Sequence, residues 1–282
     1  MDNFDLEQRD NDQLSQSSTL PMPVLFLGHG SPMNAIIENE FSISWKKLGK
    51  SLVKPKAILC ISAHWITQKG TAVTAMQKPR TIHDFGGFPQ ALFDLQYPAE
   101  GSKKLAKEVI SSIRITKVQA DFSWGLDHGT WSILHHMYPE ADIPVVQLSL
   151  DYGQTALFHY QLGQELRKLR RQGVLIMASG NMIHNLHLIA WEKRHLNEYG
   201  YDWAIEANEK MKVALVEKKH RVLLDWQNQG TAFENAIPTP DHYYPMLYVL
   251  GIQEPQDQLT IFNDRLVGGS LGMTSFRLDF QT

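Results

Sequence analysis

Three apolar runs along this chain end at a histidine. Leu25-Phe26-Leu27-Gly28 leads into His29, and Ala57-Ile58-Leu59-Cys60-Ile61-Ser62-Ala63 into His64. Val174-Leu175-Ile176-Met177-Ala178-Ser179-Gly180 leads through Asn181-Met182-Ile183 into His184. Runs of this length, bounded by turn residues, predict strands covered on both faces. In an open parallel sheet, ligands bind just beyond the carboxyl ends of the strands. Three histidines leaving three strand ends are therefore expected to meet at one edge, although far apart in sequence.

The rest of the pattern alternates between the strand and helix periods. The first strand is expected at residues 20–28, followed by a loop to residue 39. Phe41, Trp45, Leu48 and Leu52 recur at helical spacing and predict a helix over 41–52. Pro55 ends that region, the second strand covers 57–63, and β-branched alternation predicts a strand at 71–76. Residues 78–90 contain Thr81-Ile82-His83-Asp84-Phe85-Gly86-Gly87-Phe88-Pro89, a long aromatic, glycine-rich loop of the kind that often carries function. A helix at 101–113 with Ser102 near its start and a short strand at 116–121 follow. A glycine-broken turn at 124–131 opens a short helix that stops before Pro139. Next come a strand at 144–150, a helix at 155–171 with basic last turns, and a strand at 174–179. Residues 203–226 read as helical with a break near 218–220, and 233–240 as a loop. Residues 242–250 read as a helix behind Asp241 as its cap, and 259–262 and 270–278 as closing, antiparallel strands. No repeat, linker or domain boundary interrupts the series. The expected fold class is α/β: a single domain with a central mixed, mostly parallel sheet flanked by helices. It is expected over residues 21–282, behind a disordered tail at 1–20 rich in Asp, Asn, Gln and Ser.

Composition narrows the function. With 282 residues and 43% hydrophobic content, the chain can bury a full core. A net charge of -3 without basic blocks argues against nucleic acid as a partner. No apolar run reaches the roughly 18 residues of a membrane span, so no membrane is expected. The N-terminus lacks the basic start and apolar core of a signal peptide. The single cysteine, Cys60, excludes a disulfide framework and fits a reducing cytoplasm. Inside a predicted strand it reads as a small buried hydrophobe.

The 12 histidines stand out. A lone histidine is more often a hydrogen-bonded structural residue than a ligand, but His29, His64 and His184 at matching strand ends point together to a metal. Imidazole suits zinc, iron, copper and nickel. No HExxH or CxxC spacing is present. His242 lies in Pro238-Thr239-Pro240-Asp241-His242-Tyr243-Tyr244-Pro245, either as a further ligand or as an ordinary helix start. His128 sits in a turn between Asp127 and Gly129, where it either acts on a ligand or caps the next helix. His83-Asp84 reads as a charge-oriented histidine beside a substrate or as part of a mobile loop. His187 would stand one turn behind His184 if a helix began there. His135, His136, His159, His195 and His220 read as surface or packing residues.

Gly28-His29-Gly30-Ser31-Pro32, Ser62-Ala63-His64-Trp65, His83-Asp84-Phe85-Gly86-Gly87-Phe88, Asp127-His128-Gly129, Gly180-Asn181 with His184-Asn185, and Thr239-Pro240 with His242-Tyr243 together resemble one family. They are similar, in the same order over about residues 22–280, to the LigB-type (class III) extradiol ring-cleavage dioxygenases, nearest to the 4,5-DOPA dioxygenase branch. A cytoplasmic location, which the cysteine count fits, and a monomer or small homo-oligomer are expected. The resemblance implies opening of a DOPA- or caffeate-like catechol with O2 to a muconic semialdehyde. It implies one divalent metal, Fe(II) for activity, with Zn(II) also found in bacterial members. The implied ligands are His29, His64 and His242, with His184 at the metal edge as ligand, acid–base residue or both. Where the protocatechuate branch uses a glutamate, this chain offers a histidine, a departure from the two-histidine, one-carboxylate pattern. His184 ahead of His128 is the expected acid–base group, with Asn185 fixing the His184 ring and His128 hydrogen-bonding substrate or oxygen. Phe85, Phe88, Trp65 and Tyr243 either line an aromatic pocket or pack the core, and the loop at 83–88 covers the entrance. The rival readings are a zinc-dependent hydrolase using the same histidines, a metal-storage protein, and a plain structural domain.

Overall fold

A computed structural model of the chain describes residues 20–193 and 199–281. The expected tail at 1–20 lies, except for exposed Leu20, outside the described residues, and so does His195. The strands are β1 (Val24–Gly28), β2 (Ala57–Thr67), β3 (Thr71–Thr74), β4 (Val118–Asp121), β5 (Val145–Asp151), β6 (Val174–Gly180), β7 (Asp257–Phe262), β8 (Leu266–Val267), β9 (Leu271–Gly272) and β10 (Ser275–Phe280). The α-helices are α1 (Glu40–Ser51), α2 (Gln90–Asp94), α3 (Lys103–Ser112), α4 (His128–Met137), α5 (Ala156–Leu166), α6 (Asp202–Val216), α7 (His220–Leu224), α8 (Thr231–Ala236) and α9 (Tyr244–Ile252).

Eight strands form one sheet in the order β4-β3-β5-β2-β6-β1-β10-β7, and β8 pairs with β9 apart from it. β5, β2, β6 and β1 lie side by side in parallel, so their carboxyl ends share one edge. β10 and β7 close one side antiparallel; β3 meets β5 antiparallel and carries β4 parallel to itself. This is the single α/β domain, with its mixed, mostly parallel sheet, that the alternating pattern predicts.

The sheet is covered on both faces. Leu59 and Ile61 of β2 pack with Leu105 of α3, Leu162 of α5, Met211 of α6 and Tyr248 of α9. Ile58 and Cys60 point the other way, towards Trp45 of α1 and Trp131 and Leu134 of α4. Two buried faces explain why these strands read as unbroken apolar runs rather than alternating ones. Cys60 is fully buried, accepts the Thr130 hydroxyl at 3.2 Å, and has its thiol pKa pushed up by burial. Ser102 caps its helix as expected, accepting from the Leu105 N–H, whereas the helix after Gly125 is capped by Asp127, which accepts from the Thr130 N–H, and not by His128.

Several local expectations are corrected. β1 begins at Val24, because Met22 exchanges its backbone bonds with Arg170 instead of a strand. The loop before α1 contains a 3-10 turn, Pro32–Ala35, capped by Ser31. β2 does not stop before His64 but continues to Thr67: from Ile61 to Ile66 it takes five steps while β5 takes two, from Leu148 to Leu150. The extra backbone bulges at His64. The helix at 155–171 divides into α5 and a 3-10 turn, Arg167–Gln172. The loop at 233–240 overlaps α8, which is short but held by buried Phe233. The helix at 242–250 starts at Tyr244, and Asp241 does not cap it, because its carboxylate bonds His242. The strand at 270–278 divides into β9 and β10. Among the described residues no helix is long and apolar enough to cross a membrane.

Candidate functional site

Five histidines converge beyond the carboxyl ends of the parallel strands. His29 follows β1, His64 rides the β2 bulge, His128 opens α4, and His184 lies four residues past β6. His242 comes from the turn before α9. Two glycines allow the close approach. At Gly180 a Cβ would collide with the His242 carbonyl, to which the Asn181 N–H donates at 2.9 Å. At Gly129 a Cβ would lie 2.6 Å from Ser62 Oγ and 2.9 Å from His64 Cδ2. Either side chain would force apart elements that carry the rings.

The rings of His29, His64 and His242 form a near-equilateral triangle, with centroids 4.9, 5.2 and 5.0 Å apart. Each has an oxygen beside its Nδ1. Ser179 donates its hydroxyl to the Gly129 carbonyl at 2.5 Å, so it accepts from His29 Nδ1 at 3.0 Å. His64 Nδ1 lies 3.2 Å from Asp84 Oδ2, and His242 Nδ1 bonds Asp241. Hydrogen-bond acceptors at Nδ1 fix the tautomer of His29 and His242 and leave their Nε2 as a lone pair, while the Asp84 carboxylate stands beside Nδ1 of His64. His29 and His64 bring their Nε2 atoms to 3.0 Å. Burial first, then the neighbouring histidines, holds both pKa values well below the ordinary 6.5, so both rings are neutral. Without a metal, one of the two can carry its proton on Nε2 and donate to the other; a metal needs both as lone pairs. The donor set of neutral imidazoles, each backed by an oxygen acceptor, fits a divalent transition metal.

His128 and His184 flank this triangle. His128 donates from Nδ1 to Asp84 Oδ2 at 2.9 Å, and its backbone N–H goes to Asp84 Oδ1 at 2.9 Å. Burial opposes the Asp84 charge, but these His128 bonds hold its pKa below the usual value. A ring nitrogen of His128 lies within 4.8 Å of ring nitrogens of His29 and His64; His184, Asp241 and His242 form a second such group. His184 stacks flat on His242, with centroids 3.5 Å apart and planes inclined by 2°. Burial, then His242, pushes the His184 pKa down to about 3. The Asp241 carboxyl is held low despite its burial, by the His242 bond.

All five rings open into one cavity of about 1350 Å³, which Phe85 and Phe88 also line. Its size admits a substituted aromatic ring. Trp65 and Tyr243 are not among its lining residues: Trp65 stacks on Trp124, and Tyr243 is buried with its hydroxyl on the Leu223 carbonyl. His83 is an anchor of its loop, bonded to the Leu95 carbonyl at 2.9 Å. His187 is exposed, and no helix begins at His184. Asn185 does not hold the His184 ring but bonds the Asn235 carbonyl. Sequence reasoning missed Ser179, Asp84 and Asp241 as partners of the histidines. The one available signal was adjacency: Asp241 directly precedes His242.

The sequence matches, over residues 23–268, the family described as the catalytic LigB subunit of aromatic ring-opening dioxygenase. The chain belongs to this family, and its class is that of an aromatic ring-opening dioxygenase. Among curated relatives, the 4,5-DOPA dioxygenase extradiol of Escherichia coli (strain K12) is 46% identical, covering 93% of this chain and 96% of that one. The protein of the same name from Beta vulgaris is 34% identical, covering 89% and 94%. A crystal structure of an uncharacterised Escherichia coli K12 protein superposes with a TM-score of 0.78 at 40% identity, covering 91% of this chain and 99% of that one. Nothing in these relatives supports the zinc-hydrolase alternative.

Proposed function

We propose that this protein opens the ring of a catechol with O2 by the extradiol route, at one divalent metal ion held by His29, His64 and His242. The observation that carries the reading is the triangle of three rings, each with an oxygen beside its Nδ1. Fe(II) is the ion proposed for activity, with Zn(II) as an alternative occupant. When bound, the ion supplies Lewis acidity towards the catechol oxygens and a path for electrons to oxygen. Phe85 and Phe88 hold the aromatic ring by stacking and edge contacts. His184 and His128 stand on either side of the triangle as groups that take a phenolic proton and return it as the ring opens. Asp84 orients His128 by accepting from its Nδ1–H. His184 serves as a base only where it is not itself a ligand.

The cavity also presents Glu40 and Arg265, whose side chains approach to 3.7 Å. Opposite charges at that spacing favour a zwitterionic side chain, as in DOPA, over the lone carboxylate of caffeate. The product is a muconic semialdehyde. Lone buried Cys60 accords with a cytoplasmic location, and a monomer or small homo-oligomer is the proposed state.

The test is anaerobic reconstitution with Fe(II), followed by oxygen-electrode assays on DOPA, caffeate and protocatechuate. Oxygen uptake matched by semialdehyde formation, fastest with DOPA, is expected. No uptake with any catechol at full iron occupancy would refute the reading. His29→Ala and His64→Ala should each abolish stoichiometric metal binding; full occupancy in both would refute the ligand assignment.

A further inference from the structure

We propose that Asp84 is a positioning residue, through which the aromatic loop sets the orientation of two histidines. The proposal rests on the functional reading above only where it names a catechol. One carboxylate faces both rings. Oδ2 lies 2.9 Å from His128 Nδ1 and 3.2 Å from His64 Nδ1, and Oδ1 accepts the His128 backbone N–H at 2.9 Å. A carboxylate only accepts, so the hydrogen-bonded His128 ring carries its proton on Nδ1 and turns Nε2 away from Asp84, while the same oxygen stands beside the Nδ1 edge of His64. The His64 and His128 rings are held with centroids 3.9 Å apart.

The loop on either side of Asp84 is fixed. Ile82 donates its N–H to the Leu126 carbonyl at 2.7 Å, and its own carbonyl accepts from Trp131 Nε1 at 2.8 Å. Phe85 packs edge-on against His128 with centroids 5.4 Å apart, and against Phe88 at the same separation. Beyond this root, a Cβ at Gly86 or Gly87 would meet nothing within 4 Å, so the tip is free to yield. Asp84 thus stands at the junction of an anchored root and a yielding tip. The Asp84 bonds to His128 tie that root to the histidines.

The experiment compares Asp84→Asn, Asp84→Ala and the tip variant Phe88→Ala. Zn(II) affinity is read by chelator competition, imidazole tautomers of the metal-free protein by nitrogen-15 NMR, and kcat and KM on DOPA with the iron-loaded enzyme. Removal of a carboxylate behind a ligating histidine costs roughly 10–100-fold in metal affinity or activity. Both Asp84 variants should therefore lose about that much Zn(II) affinity and kcat, and His128 should lose its uniform Nδ1–H form. Phe88→Ala should raise KM while Zn(II) affinity stays. If Asp84→Ala does not fold, the isosteric Asp84→Asn decides. Wild-type Zn(II) affinity, tautomers and kcat in Asp84→Asn would overturn the proposal. A wild-type enzyme inert to every catechol would sink the functional reading instead, and would leave the affinity and tautomer results to judge Asp84.

Discussion

Ser179 uses one hydroxyl to settle the state of His29. Having given its proton to the Gly129 carbonyl, it accepts from His29 Nδ1, so the His29 lone pair is delivered to the site. Ser179→Ala should leave that buried N–H without its acceptor and weaken metal binding by roughly 10–100-fold. Chelator competition checks this, and unchanged affinity would remove Ser179 from the argument. His184 and His128 divide on the same grounds. His184 is held by stacking on His242, whereas His128 is held by a carboxylate. General acid–base groups contribute about 10²–10⁴-fold. His184→Ala is expected to lose about that much kcat while still binding catechol, and His128→Ala to lose less. Metal content decides the interpretation. If His184→Ala loses its metal, His184 is a ligand and the base is His128. If it keeps both metal and near-normal kcat, the acid–base role of His184 is wrong.

At the scale of elements, the loop at 83–88 and the Arg170 turn make separate predictions. Shortening the loop at Gly86-Gly87 should raise KM for catechols and leave metal content intact; an unchanged KM would rule it out as a cover. Arg170 is fully buried and gives two 2.7 Å bonds to Asp257 at the start of β7 and one to the Met22 carbonyl before β1. Arg170→Met should strand the Asp257 charge and cost about 3–5 kcal/mol in urea unfolding. Replacing Asp257 by Asn as well should recover part of that loss. If Arg170→Met unfolds like the wild type, this tie is not what holds the sheet edge. Arg170 was not legible in the sequence, where it sits in a basic helix end that reads as dipole stabilisation. By contrast β5 and β6 were legible to within a residue or so, because burial on both faces leaves an apolar run. The β2 bulge was not, since it exists only relative to β5. The same division runs through the site. His29, His64, His128, His184 and His242 were visible because each follows a strand end or a turn. The acceptors that set their tautomers come from 150 residues away for His29 and 44 for His128, and such distances leave no local pattern.

For the molecule as a whole, the buried neutral histidines make stability depend on pH, and His159 shows it away from the site. It is fully buried on α5, bonds Tyr248 Oη at 3.0 Å and stacks near Tyr244, both from α9. The acidic neighbour is Asp151 at the end of β5, whose backbone works to raise the pKa; burial is the larger effect and lowers it to about 3. In the unfolded chain an imidazole titrates near 6.5. Above that pH both states are neutral and the full stability is present. As pH falls below about 6.5 the unfolded chain takes up a proton that the folded protein refuses until about 3, so stability is lost across that window. The slope from one such group is at most about 1.4 kcal/mol per pH unit. In the metal-free chain His29, His64 and His184 act in the same direction, so the difference between variants is what isolates His159. His159→Gln cannot take up the proton and keeps a polar group opposite Tyr248. Its unfolding free energy, measured in urea at pH 7.5, 6.5, 5.5 and 4.5, should start lower than that of the wild type and fall less steeply. Parallel curves for the two proteins would mean that His159 takes up its proton as readily in the fold as in the unfolded chain, and that the acid sensitivity of this domain arises at the sheet edge where the five histidines meet.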